Sequence, residues 1–335
     1  MLASARRWFL LLLLLAAATS LVATTPATAG TSSGFSVVLL PDTQFYSETF
    51  ADTYLAQTEW IRARAAAERT RFVIHLGDIV DNATVEEEWK VADRAHRVLD
   101  GVVPYSVLPG NHDGAPGETE LYNKYFPPRR FEHYPWYGGH AGQKNDNNVA
   151  LFNAACMKFL VLNLEYNPGD ETLQWANDVV AQHADRRVIV ATHEYMGPKG
   201  RRPPGEKIFE QLVRKHENIF LVVCGHVGAI AQQVSANDAG GQVHEVLCDY
   251  QNLPEGGGGW LQVLRFLPEQ NQIVIEAYSP LSDEHADQPK AVATLDYDMS
   301  ERELAATGSH RWLGRGKLPA GRFGWRIRRL LQSWR

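Results

Sequence analysis

The stretch FVIHLGDIVDN, residues 72–82, governs how this chain is read. Its first half is short, apolar and rich in β-branched residues, which predicts a buried strand over 72–76. Gly77 breaks the run, and Asp78, Asp81 and Asn82 follow it. The same grammar recurs in four other places. Residues 35–40 (FSVVLL) run into Asp42 and Gln44, and residues 105–108 (YSVL) into Gly110, Asn111, His112 and Asp113. Residues 188–191 (VIVA) run into His193, and residues 220–223 (FLVV) into Gly225 and His226. Each predicted strand delivers an oxygen or imidazole donor just past its end. Sites in α/β sheets form in the crevice outside the carboxyl ends of the strands, so these residues are expected to meet.

Helical spacing over 54–67, 86–99, 173–183 and 206–215 separates several of these strands. The alternation implies an α/β domain whose strands are covered by helices. Further strand-like runs at 149–153, 159–164, 243–247, 261–266 and 273–278 have no helices between them, which implies a mixed sheet or two sheets packed together. Two long loops are expected. One, residues 122–148, is crowded with Pro, Gly and the aromatics Tyr125, Phe126, Phe131, Tyr134, Trp136 and Tyr137; the other, residues 197–205, carries Lys199, Arg201 and Arg202. The glycine run 256–259 reads as a hairpin connection, since no helix follows to make it a phosphate cradle.

The chain has 335 residues, 44% hydrophobic and 21% charged, which is an ordinary globular composition. Residues 1–29 combine Arg6 and Arg7, an apolar run and an A-x-A ending at Ala29, the pattern of an export signal of the general or twin-arginine type. No later run is long enough to span a membrane. The net charge is −6; residues 1–29 contribute +2, and residues 310–335 hold eight Lys or Arg and no acid, so the segment between them carries −16. That acidic body argues against nucleic acid as the main partner. Three cysteines without C-x-x-C spacing exclude a disulfide framework, a zinc ribbon and a thioredoxin-type motif. The expected organisation is a signal over 1–29, one domain over 30–299 and a basic tail over 300–335. Phe323, Ile327, Leu330, Leu331 and Trp334 recur in the tail at helical spacing among arginines, as in an interfacial amphipathic helix; contact with an anionic membrane surface and docking on the acidic body are the two readings.

Carboxylates, an amide and imidazoles converging on one place describe a divalent-metal site, and an acid able to bridge describes a two-metal one. The chain has no G-x-S-x-G elbow, P-loop or H-E-x-x-H. The ordered series of Asp42, GDxxD (77–81), GNHD (110–113), a lone His193 and Gly225-His226 resembles the calcineurin-like metallophosphoesterases, over about residues 35–280. The resemblance implies an α/β fold, a four-layer αββα sandwich with two mixed sheets. It implies two divalent ions, with Asp78 bridging them, Asp42 holding the first, and Asn111, His193 and His226 completing the second. His112 would be the general acid beside Asp81. Gln44 stands where that pattern has the histidine of D-x-H, and Gly228 where it has the second histidine of GHxH. Gln44 still offers a carbonyl oxygen, giving an oxygen-rich site that favours Mn2+ or Fe2+, with Mg2+ or Zn2+ as alternatives. The run Pro41-Asp42-Thr43-Gln44 resembles a secreted bacterial subgroup in which Gln is normal.

The function expected is an exported phosphoesterase hydrolysing phosphomonoesters, with phosphodiesters, or a degenerate metal- or phosphate-binding surface protein, as the rivals. Asn147 or Asn148 and Arg201 or Arg202 are candidate phosphate contacts, and the aromatic loop is either a wall of the cleft or a lid packed on itself. His244 is a candidate replacement ligand, set against a structural role. His75 reads as a core histidine, and His96, His183 and His216 as solvated helix residues. Glu86, Glu87 and Glu88 suit the first turn of a helix. Cys224 and Cys248 fall at the ends of adjacent predicted strands; a bridge is conceivable, but buried free thiols are the simpler reading.

Overall fold

A computed structural model describes residues 34–287 and 291–300. The expected export signal and the basic tail beyond residue 300 lie outside the described residues. β1 (Phe35–Leu40) leads through α1 (Gln44–Glu48) and α2 (Ala51–Arg64) to β2 (Thr70–His75), α3 (Glu86–Arg97) and β3 (Tyr105–Ser106). The short helices α4 (Glu120–Tyr125) and α5 (Pro128–Phe131) precede β4 (Tyr137–His140), β5 (Asn148–Ala154) and β6 (Met157–Leu164). Then come α6 (Asp170–Gln182), β7 (Arg187–Thr192), the small hairpin of β8 (Met196–Gly197) and β9 (Gly200–Arg201), α7 (Pro203–Gln211) and β10 (Ile219–Cys224). β11 (Ile230–Ala236), β12 (Gln242–Cys248), α8 (Pro254–Gly257), β13 (Leu261–Leu267), β14 (Gln272–Ser279), β15 (Glu284–His285) and β16 (Ala293–Asp296) follow.

The strands form two mixed sheets. The first runs β15-β14-β13-β1-β2-β3, with β16 also on β14; the second runs β11-β12-β10-β7-β6-β5-β4. In the first, β1, β2 and β3 are parallel and β13 is antiparallel to β1. In the second, β6, β7, β10 and β12 are parallel. The period-two alternation of the strands decides the layers. Val37, Leu39, Phe72 and Ile74 turn inward to meet Phe159, Val161, Ile189 and Phe220 of the other sheet, whereas Val38, Leu40 and Val73 turn outward onto Tyr54, Ile61, Trp89 and Ala92 of α2 and α3. On the far side, Leu160, Leu162, Val188 and Val190 face Leu173, Ala176, Ile208 and Phe209 of α6 and α7. The result is the expected four-layer αββα sandwich.

Several local expectations change. The glycine run 256–259 is not a hairpin connection, because β12 belongs to the second sheet and β13 to the first; the chain crosses between sheets there. At Gly257 (φ 126°) a Cβ would stand 2.5 Å from the Tyr46 hydroxyl, so the crossover needs glycine to pass α1. The aromatic stretch 122–148 is partly regular: Tyr122, Phe126 and Phe131 are buried in the outer core of the first sheet, and Trp136 stands edge-on to Phe72 at 6.0 Å. It packs on the first sheet and its helices rather than on itself alone. The helix expected over 206–215 starts earlier, with prolines in its first turn, and ends at Gln211, followed by a 3-10 turn. Cys224 and Cys248 are buried free thiols. No helix of the described residues is long and apolar enough to cross a membrane. Arg187, buried at the start of β7, donates to the Tyr297 hydroxyl (2.6 Å) and the carbonyls of Asp298 (2.9 Å) and Ser300 (2.8 Å), fastening the last described stretch to the sandwich.

His96 is fully buried, not solvated, because 89, 92 and 96 share one helical stripe with Trp89 and Ala92. His183 and His216 are half-buried, and His216 Nε2 pairs with Asn177 (2.8 Å). Burial, reinforced by the charge of Arg130, pushes His96 down to about 3, and burial also holds His75 well below the usual histidine range. A depressed histidine is accepted by the folded state only when neutral. Its contribution is therefore complete above about pH 6.5 and is lost as pH falls toward 3. For His96 this amounts to about 2 kcal/mol between pH 7 and pH 5. Urea unfolding at the two pH values should show a shallower acid dependence in His96→Phe than in the wild type; equal dependence would refute the assignment.

Candidate metal centre

The parallel strands of both sheets end at one edge of the sandwich. Asp42 lies two residues past β1, Asp78 follows β2, Asn111 and His112 follow β3, His193 directly follows β7, and His226 follows β10. Asp78 (φ 49°) and His226 (φ 74°) adopt left-handed backbone, a strained conformation for such residues. Two glycines let the carboxylates in. A Cβ at Gly110 would lie 2.1 Å from Asp78 Oδ1, and one at Gly225 would lie 2.1 Å from Asp42 Oδ1.

His193 Nδ1 donates to the Leu76 carbonyl (2.9 Å), which fixes its tautomer and turns Nε2 inward. That Nε2 stands 3.2 Å from Asp78 Oδ2, 2.9 Å from Asn111 Oδ1 and 3.2 Å from His226 Nδ1. Donor atoms of Asp78, His193 and His226 all lie within 4.8 Å of one another. Asp42 accepts the His226 amide at 3.1–3.2 Å, and Asp78 Oδ1 accepts the His112 amide at 2.9 Å. His112 is half-exposed; its Nδ1 donates to the Asp81 carbonyl (2.7 Å), with Asp81 Oδ1 at 3.2 Å, so Nε2 is left for whatever enters the cleft. Behind the donors, buried His75 accepts the Gly77 amide at Nδ1 (3.2 Å) and meets Thr43 Oγ1 at Nε2 (2.9 Å), tying the Asp42 turn to the Asp78 turn.

Sequence reading gave Asp113 no role of its own and passed over Asp249. Asp113 is buried and accepts the amides of Ile79 (2.9 Å), Val80 (3.0 Å) and Gly110 (2.8 Å), locking the GDxxD loop to the GNHD loop. Asp249, one residue past β12, is buried and accepts from the amide and side chain of Gln251. The strand-end rule that found the other donors also applies to Asp249.

The electrostatics suit a cation. Burial, then the charge of Asp249, raises Asp42 well above the usual carboxylate range; burial, then Asp78, pushes Asp113 up to about 7; burial brings Asp249 to about 6. Burial alone would lower His193, but Asp78 and Asp42 overturn it and hold His193 at about 10. Burial and the neighbouring His193 lower His226. The upward pull of Asp78 and Asp42 on His193 marks a negative field, and Gln44 Oε1, 2% exposed as a residue, is buried with no hydrogen-bond partner. Carboxylates, imidazoles and an orphaned carbonyl oxygen fit a divalent ion.

The other predicted residues sit elsewhere or are engaged. Asn148 donates to Val107 and Asn145 carbonyls and accepts from Asn163, and Asn147 is paired both ways with Glu165, so their amides serve the β5–β6 edge. Arg201 stacks on Phe209 at 3.7 Å and pairs with buried Glu245 and with Glu206, so its charge is occupied. Arg202 is half-exposed and pairs with Glu194, which lies 3.8 Å from His226 Nε2; it alone of the four borders the centre. Tyr166 forms the adjoining wall, its ring 5.9 Å from His193 and 5.7 Å from His226. His244 is no replacement ligand. It stands in the first half of β12, opposite Leu221, and its Nε2 meets the Asp296 carbonyl (2.9 Å), away from the ends of the strands where Asp42 lies.

The profile of the calcineurin-like phosphoesterases matches residues 35–228, from β1 to the end of the His226 turn. This chain belongs to that family. The uncharacterized protein YvnB of Bacillus subtilis (strain 168) is 36% identical over 256 residues, 73% of this chain and 20% of that protein. A probable glycerophosphodiester phosphodiesterase, GpdQ, of Arcobacter nitrofigilis is 26% identical over 173 residues, 48% of this chain and 57% of that protein. The chain thus spans a fifth of the first relative and somewhat over half of the second. The purple acid phosphatase PPD1 of yellow lupin shares the fold, with a TM-score of 0.53 at 14% identity, covering 80% of this chain and 54% of that one.

The loop lock in this calcineurin-like centre is testable. Asp113→Ala removes the acceptor of three buried amides and should lower urea-unfolding stability by roughly 3 kcal/mol. A loss below about 1 kcal/mol would place the lock elsewhere.

Proposed function

We propose that this chain is an exported, metal-dependent phosphoesterase with a two-ion centre: Asp42 and Gln44 on one ion, Asn111, His193 and His226 on the other, and Asp78 shared. The observation that carries the reading is the convergence of the strand-end donors Asp78, His193 and His226, with Asn111 Oδ1 on His193, beside a half-exposed His112 whose Nδ1 is anchored on Asp81. When bound, divalent ions supply charge neutralisation for the phosphoryl oxygens and a water deprotonated near neutral pH. The chain's own residues supply the rest. The Asp81 contact keeps the His112 ring in place, so that its Nε2 can protonate the departing alkoxide. The Leu76 carbonyl keeps Nε2 of His193 as the inward donor. The oxygen-rich first set favours Mn2+ or Fe2+.

Phosphomonoesters are the substrate class drawn from the sequence. A second reading, diester hydrolysis, is favoured by the relative named as a probable glycerophosphodiester phosphodiesterase. Export rests on the pattern in residues 1–29 and on the PDTQ run at 41–44, and contact with an anionic surface rests on the basic tail.

Relative turnover of para-nitrophenyl phosphate and bis-para-nitrophenyl phosphate distinguishes the two ester readings. His112→Ala should keep its metal and lose turnover by about 10²–10⁴-fold on an alkyl phosphate. The loss should be smaller on a nitrophenyl ester, whose leaving group needs little protonation. Unchanged activity on the alkyl ester would sink the general-acid assignment. Asp78→Ala should lose both ions, as read by plasma mass spectrometry, and retention of two would refute its shared position.

A further inference from the structure

The family's pattern GHxH has a second imidazole at the position of Gly228, and here the Asn252 side chain stands in its place: a Cβ at 228 would lie 1.9 Å from Asn252 Nδ2. The space is taken by the loop after β12, whose Asn252 also reaches the Gly228 carbonyl (3.4 Å). β12 runs parallel beside β10 with Leu247 opposite Cys224, so both strands finish at the same level. Asp249 is the first residue past that end, and its amide donates to the Ala229 carbonyl at 3.1 Å. Its carboxylate is fixed by Gln251, whose amide meets Oδ1 at 2.8 Å and whose Nε2 meets both Oδ2 (2.7 Å) and the carbonyl of His226 (3.1 Å). Such an outer contact orients a ligand and leaves lone pairs on each oxygen.

We infer that Asp249 is a ligand of the first ion, replacing the missing imidazole, so that Asp42, Gln44, Asp249 and the shared Asp78 give that ion an all-oxygen set. The inference rests on the two-ion reading above. Three observations support it together. Asp249 is almost fully buried, and no lysine or arginine pairs with it among the described residues. Gln251 ties the Asp249 carboxylate to the carbonyl of His226, the residue whose amide donates to Asp42, so the two acids flank one turn. Gln44, two residues beyond Asp42, keeps a buried carbonyl oxygen with no partner. Two buried acids flanking the His226 turn and an orphaned acceptor form an oxygen set that a hard divalent ion satisfies.

The test is metal content per full chain by plasma mass spectrometry after equilibration with Mn2+ and removal of loose ions. The wild type should hold two ions and Asp249→Asn one, with the fold of the variant checked by circular dichroism. Gln44→Met, which keeps length and loses the oxygen, should weaken the same ion by 10-fold or more in a Mn2+ titration. Asp249→His should shift the preference of that ion from Mn2+ toward Zn2+. Two ions in both wild type and Asp249→Asn would overturn the inference, and so would loss of both ions, which would make Asp249 a prop for the pocket. A wild type that holds a single ion would instead overturn the two-ion reading on which it rests.

Discussion

Asp42, Asp78, Asp113 and Asp249 are buried together where the two sheets meet, and each needs donors or a positive charge. The donors come from the neighbouring turns: the His226 amide for Asp42, the His112 amide for Asp78, three amides for Asp113, and Gln251 for Asp249. Hydrogen bonds to a charged group contribute about 1.5–3 kcal/mol each. The acids therefore hold the loops, and the loops hold the acids. What backbone amides cannot do is cancel the mutual repulsion, and the upward pull of Asp78 and Asp42 on His193 marks where positive charge is wanted.

The sandwich makes this crowding tolerable by sharing it. Asp42, Asp78 and Asn111 stand on the first sheet, and His193, His226 and Asp249 on the second. A cation at their meeting point would join the two layers, which otherwise meet mainly through apolar side chains, with polar links such as Ser106 Oγ to Asn163 Oδ1 (2.9 Å). Rigidity behind the donors comes from buried contacts such as His75 to Thr43, so the separation of the Asp42 and Asp78 turns is set by the scaffold as well as by a ligand.

Sequence alone showed most of the strands and the series of donors, because short apolar runs and strand-end placement are local signals, whereas the layer order came only with the family resemblance. It failed where the outcome depended on a distant partner. His96 looked solvated on a charged helix, yet the stripe through Trp89 and Ala92 faces Tyr54, Tyr105 and Phe126. Arg201 looked like an anion contact until Glu245, buried on another strand, claimed it. The glycine run 256–259 has the composition of a hairpin, and only the sheet assignment of its neighbours makes it a crossover. Asp249 is different: the rule already in use would have found it, and His244 drew attention because imidazole was the residue type missed.

Arg187 gives the molecule a polarity. It begins β7, whose other end is His193, so the clasp on Ser300 lies about 20 Å from the centre by the rise of a strand. Whatever the chain does after Ser300 starts from the blunt end of the sandwich.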